Sequence, residues 1–163
     1  MTPRLFIDNA VLPALRLLPA EMGSPAAMAM LVAIGLQESR LQHRHQIGGP
    51  AHGYLQFERA GGVAGVFWHP ASRDHAEAVC RALDYPIQAD DVYEAIEHND
   101  ILAVAFGRLL LWSLPQAMPP IDDPAAGWKA YLDGWRPGKP HQITWEGFFD
   151  QAWGEVIDAT KDV

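Results

Sequence analysis

"SPAAMAMLVAIGLQES", residues 24–39, is the stretch on which the architecture of this chain turns. Ser24 can accept hydrogen bonds from the free N–H groups of a helix start, and Pro25 suits the first helical position, where an N–H has no partner to lose. Met28, Leu31, Val32, Ile34, Gly35 and Leu36 make the following turns apolar on nearly every side, so the spacing predicts a central, buried helix. Glu38 stands at its C-terminal end. The next residues, "RLQHRHQIGGPAHGYLQFE" at 40–58, change character at once. Gly48-Gly49-Pro50, Gly53, Gly61-Gly62, Gly65 and His69-Pro70 punctuate the chain from Gln42 to Pro70, which predicts loop or short β ribbon with 53–58 as the best strand candidate.

Helical patterns surround this insert. The N-terminal residues, through Met22, read as a first helix. Ser72 is placed to cap a helix in which Ala76, Val79, Cys80 and Leu83 form one buried stripe. Asp90 or Asp91 starts a short helix through Ile96, and Asn99 or Asp100 caps the apolar "ILAVAFGRLLLW". After a Pro-rich connection, Asp123-Pro124 repeats the capping logic ahead of Trp128, Tyr131 and Leu132. Thr144 opens a last amphipathic helix carrying Trp145, Phe148, Phe149, Ala152, Trp153 and Val156. The reading is a mostly α fold of about six or seven helices around one buried helix, with a small irregular or β insert. With no repeat and no long linker, residues 1–163 form one domain.

Size and composition set limits on function. A chain of 163 residues, 49% of them apolar, can bury about two-thirds of its unfolded surface in a single core. No run approaches the roughly 18 apolar residues of a membrane span. The formal charge of −8, with only one short basic cluster, disfavours nucleic acid as a partner. A lone Cys80 has no internal disulfide partner. Asp8, Asn9, Pro13 and Arg16 interrupt the apolar N-terminus, so no classical secretion signal is expected.

A carboxylate at the end of an apolar helix loses hydration, and the helix C-terminus carries partial negative charge; both favour the neutral acid. That is the environment of a general acid, as in the lysozyme glutamate that serves as a standard case of burial raising a carboxyl to about 6. The competing reading is a solvated Glu38 paired with Arg40 or Arg44.

Glu38-Ser39 followed by Gly53-Tyr54-Leu55-Gln56-Phe57-Glu58 resembles the Glu-Ser and Gly-Leu-Met-Gln signatures of the lysozyme-like superfamily, in particular goose-type lysozymes and lytic transglycosylases. "GWKAYLDGWRPGKPH" also looks like phage or prophage members. The resemblance is close over residues 28–60 and weaker in the later helices. It implies an α+β lysozyme-like fold with Glu38 as catalytic acid and Ser39 supporting the site. Gly53, Tyr54 and Gln56 would line a sugar groove, with Glu58 as the candidate second carboxylate. Tyr131 resembles the Tyr of the family's Ala-Tyr-Asn motif, although Leu132 stands in place of its Asn. The implied activity is cleavage of bacterial peptidoglycan glycan strands, by a muramidase or lytic transglycosylase of endolysin or virion-associated type. It would reside in the host cytoplasm before release, or in the virion, and act as a monomer by default. The alternatives are a catalytically silent saccharide-binding or phage structural module of the same fold, and an unrelated helical interaction protein.

His43, His45 and His52 are close enough in sequence to converge on a metal, but there is no His-Glu-x-x-His and no Cys pair, so neither metal nor cofactor is expected. His52, next to Gly53, is placed at the groove. Most of the tryptophans recur at helical spacing and belong to the core; Trp68 and Trp135 are the ones predicted to be exposed, Trp135 as a sugar-stacking residue.

Overall fold

The computed structural model describes residues 1–161. A helical run over residues 3–15 (α1) opens the chain, capped by the Thr2 hydroxyl and widened to a π turn over Ile7–Val11. Phe6, Ala10 and Ala14 recur every four residues beside Ile7 and Val11, and all five are buried.

The central helix, α2 (Pro25–Ser39), starts as its sequence dictates, with Ser24 Oγ accepting the Ala27 N–H at 3.1 Å. Every residue from Ala27 to Leu36 is buried. Arg40 and Leu41 end the helix in left-handed conformations, with φ of 55° and 54°. Leu41 N–H returns to the Gly35 carbonyl, and its side chain lies 2.6 Å from where a Gly35 Cβ would stand. Glycine is what lets the chain fold back so closely on its own helix.

Six helices follow the insert: α3 (Ala64–Trp68), α4 (Arg73–Ala82), α5 (Ala89–Ile96), α6 (Asp100–Trp112), α7 (Pro124–Trp135) and α8 (Trp145–Lys161). Asn99 and Asp123 cap α6 and α7 through their side chains. The helix α2 packs chiefly on α8 and also touches α1 and α6, so its apolar circumference is covered from several directions. None of the described helices is long and apolar enough to cross a membrane.

The mostly helical expectation holds, with four corrections of detail, of which the first is that the opening helix stops at Leu15, and Ala20–Met22 is a separate 3-10 turn after Pro19. There are eight helices among the described residues, because the glycine-punctuated segment after Glu58 contains α3. Val63, Val66 and Phe67 supply an i, i+3, i+4 stripe there, with Phe67 edge-on to Phe106 at 5.3 Å. Ser72 does not cap α4 through its side chain; its hydroxyl donates to the Val66 carbonyl at 2.7 Å and ties α3 to α4. Residues 53–58 are not a strand. The insert has only two isolated antiparallel bridges, His45 to His52 and His52 to Phe57, and residues 53–56 form the turn between the second pair. Gly53 and Gln56 both have positive φ, 74° and 52°, which no extended strand accommodates.

Candidate active site

The turn at residues 53–56 is held by side chains from three parts of the chain. Three successive carbonyls point out of it, and each meets a donor. Gln56 Nε2 donates to the Gly53 oxygen at 2.8 Å, the Ser39 hydroxyl to the Tyr54 oxygen at 2.7 Å, and Trp135 Nε1 to the Leu55 oxygen at 2.7 Å. Ser39 Oγ also accepts the Leu41 N–H at 3.2 Å, so one buried hydroxyl joins the end of α2 to the turn. Buried backbone polar groups demand such partners, and here they fix the turn against both α2 and α7.

Glu38 lies at this junction. The Tyr131 hydroxyl, on α7, donates to Glu38 Oε1 at 2.6 Å. The phenol ring is held by stacking on Trp145, 5.3 Å between centroids at an interplanar angle of 16°, and by Trp128 at 5.2 Å. Trp145 is anchored in turn by a 2.8 Å bond from Nε1 to the Pro124 carbonyl. Neither candidate arginine is spent on Glu38. Arg40 sits 4.2 Å over the Phe148 ring, while Arg44 forks onto Asp100 at 3.0 and 2.7 Å.

Burial therefore acts without a cation to offset it. It lifts the Glu38 carboxyl from an ordinary 4.5 to about 7; the Tyr131 hydrogen bond pulls the other way, and the negative charge of Glu58 adds to the rise. Burial, with the Glu38 charge beside it, raises the Tyr131 hydroxyl far above its usual range, so it stays a donor at any working pH.

Glu38 opens onto a cleft of about 640 Å³, a volume typical of small-ligand sites. Gln56, Glu58 and Trp135 line it with Glu38, over an apolar floor that includes Leu110 and Leu114. Of the residues singled out in the sequence, these four face the cleft. Ser39, Gly53, Tyr54 and Tyr131 stand behind it and hold its wall; Tyr54 is buried edge-on to Phe6 at 6.0 Å. Trp135 is half-buried, whereas Trp68 is 81% exposed.

His52 does not border the cleft. It is buried, stacked on Tyr93 at 4.0 Å, with Nε2 3.2 Å from Glu97 Oε2. Among the described residues, the group able to hold a metal is accordingly His45, His52 and Glu97, with Glu97 in the place that sequence proximity assigns to His43.

Gln46, His69, Asp133 and Arg136 also line the cleft and were not singled out in the sequence. Asp133 and Arg136 follow Tyr131 around the end of α7, a spacing that could have flagged them. His69 sits at the end of α3, inside a segment whose glycines read as loop. Comparison with protein-family models, with curated proteins and with solved structures returned no match.

Proposed function

We propose that this chain cleaves the glycan strands of bacterial peptidoglycan between N-acetylmuramic acid and N-acetylglucosamine, with Glu38 as the general acid. The observation that carries this reading is a carboxyl brought to about 7 by burial, hydrogen-bonded by Tyr131, at the wall of a cleft that also presents the exposed carboxylate of Glu58. About half of the Glu38 population then holds its proton at neutral pH, while Glu58 is free in solvent to act on a nucleophile.

Glu38 gives its proton to the glycosidic oxygen as the C–O bond breaks and positive charge develops on the muramic ring. Two completions fit this wall. In a muramidase, water attacks the anomeric carbon and Glu58 takes its proton. In a lytic transglycosylase, the muramoyl 6-hydroxyl attacks, its proton returns to Glu38, and a 1,6-anhydro ring forms. Gln56 and Trp135 flank the cleft with an amide and a flat ring, groups suited to sugar hydroxyls and sugar faces. The Glu-Ser and Gly-x-x-Gln residues support the assignment to a lysozyme-like enzyme, and the stretch "GWKAYLDGWRPGKPH" supports the phage type, an endolysin or a virion-associated lysin.

Mass spectrometry of fragments released from purified peptidoglycan tests the proposal. Wild-type protein should release reducing muropeptides if it is a hydrolase, or anhydro-muropeptides if it is a transglycosylase, and Glu38→Gln should release neither. Saccharide binding without fragments from the wild type would overturn the enzyme reading in favour of a silent binding module.

A further inference from the structure

Outside the cleft lining, the hairpin closed by the His45–His52 bridge and the end of α5 bring two imidazoles and a carboxylate to one point. His45 Nδ1 lies 3.0 Å and His52 Nε2 lies 3.2 Å from the same oxygen, Glu97 Oε2, and the three donor atoms fall within 4.8 Å of one another. We infer that His45, His52 and Glu97 form a transition-metal site, suited above all to Zn²⁺, that staples the hairpin to α5.

The tautomer of His52 carries the argument. Its Nδ1 is 2.9 Å from the Tyr93 carbonyl, which can only accept, so Nδ1 bears the proton. In the neutral ring this leaves a lone pair on Nε2, aimed at a carboxylate oxygen that offers only lone pairs. Two acceptors facing each other at 3.2 Å need a shared proton or a metal between them. A histidine whose other nitrogen is pinned to a backbone carbonyl is the arrangement metal-ligating histidines adopt. Burial of His52 at 5% exposure and its stacking on Tyr93 fix the direction of that lone pair.

The donor set and spacing suit zinc. Two imidazoles and one carboxylate form a known three-ligand zinc set, whereas Ca²⁺ and Mg²⁺ favour all-oxygen shells. Donors about 2.0–2.1 Å from a tetrahedral centre stand about 3.3 Å apart, close to the two separations here. His45 is 56% exposed at its side chain, which opens the site to solvent and leaves room for water as a fourth ligand.

The location gives the ion a task. His45 and His52 face each other across an isolated bridge, and Glu97 directly follows α5. A hairpin with so little ladder of its own is weakly held by backbone pairing. The ion would clamp it beside Gly53, where an added Cβ would lie 2.9 Å from Ile96 Cγ2. This would steady the turn that supports Gln56 and leads to Glu58. The site stands whether or not the cleft cleaves glycan.

Chelator-treated protein titrated with ZnCl₂ in a calorimeter tests the inference, alongside CoCl₂ absorption spectroscopy and thermal melts. The expected result is one equivalent of Zn²⁺, a low-coordinate Co²⁺ spectrum and a Tm that rises with Zn²⁺. His45→Ala and Glu97→Gln alter groups at the solvent side of the site, and circular dichroism checks that both variants fold. Each should weaken binding by about tenfold or more and abolish the Tm response. No stoichiometric uptake by the wild type would overturn the inference and leave a histidine–carboxylate ion pair. Undiminished affinity in both folded variants would also overturn it, by moving the ion to other histidines.

Discussion

Replacing Glu38 by Gln should make the protein more stable at alkaline pH while destroying the proposed activity. Glutamine keeps the shape of the neutral acid and an oxygen to accept the Tyr131 hydroxyl, but it cannot ionise. The folded-state pKa is raised, so stability is lost as pH rises. Below 4.5 the carboxyl is protonated in both folded and unfolded chains, and between 4.5 and about 7 only the fold still holds its proton. Above about 7 the full penalty is present: the interval from 4.5 to about 7, at about 1.36 kcal/mol per pH unit, amounts to roughly 3 kcal/mol. For a domain of this size that corresponds to a gain in Tm of about 6–12 °C. Urea unfolding of both proteins at about pH 4.5 and about pH 8 measures the effect, with equal m-values as the check on a common unfolded state. Glu38→Gln should match the wild type at the acidic pH, exceed it by roughly 3 kcal/mol at the alkaline pH, and lower turnover about 10²–10⁴-fold. The same stability difference at both pH values would refute the claim that burial holds the Glu38 proton.

Three further outcomes follow from the same geometry. The alkaline limb of the kcat/KM profile should fall near 7, since a general acid must be protonated, and Tyr131→Phe should move that limb upward by about 1–2 pH units by removing a bond that favours the ionised form; an unmoved limb would show that the Tyr131 bond does not act on the carboxylate. Ser39→Ala leaves the Tyr54 carbonyl without its partner, and Leu41 N–H with the Gly35 carbonyl alone, and should cost about 1–3 kcal/mol in urea unfolding, against nearly nothing if water replaces the hydroxyl. Gly53→Ala puts a Cβ at positive φ and 3.0 Å from the Ile96 carbonyl, so it should destabilise by about 1–3 kcal/mol, and a neutral result would mean that the hairpin is free to move off α5.

Much of the helical framework is legible because its signals are local. A cap acts on an N–H three residues away, as Ser24 does on Ala27, Asn99 on Leu102 and Asp123 on Ala126. An apolar stripe repeats within two turns. Ser72 shows the limit of that reasoning: the residue type suits a cap, but a tertiary neighbour, the Val66 carbonyl, claims the hydroxyl. The short α3 escapes a local reading because its glycines are helix breakers by residue type, while the contact that secures the helix, Phe67 on Phe106, lies 39 positions along the chain.

The site divides in the same way. From the sequence by itself came an acid at the end of a buried helix and a Gly-x-x-Gln motif after it, because an apolar run reports its own surroundings; that the motif is a turn and not a strand is seen only in the structure. The tertiary structure decided the rest. It set Tyr131 on Glu38 across 93 residues, spent Arg40 and Arg44 elsewhere, and turned His52 toward Glu97 instead of the cleft. Whether a carboxyl keeps its proton depends on which charges and donors lie within a few ångströms of it, and that neighbourhood is assembled by packing distant segments, which no local pattern records.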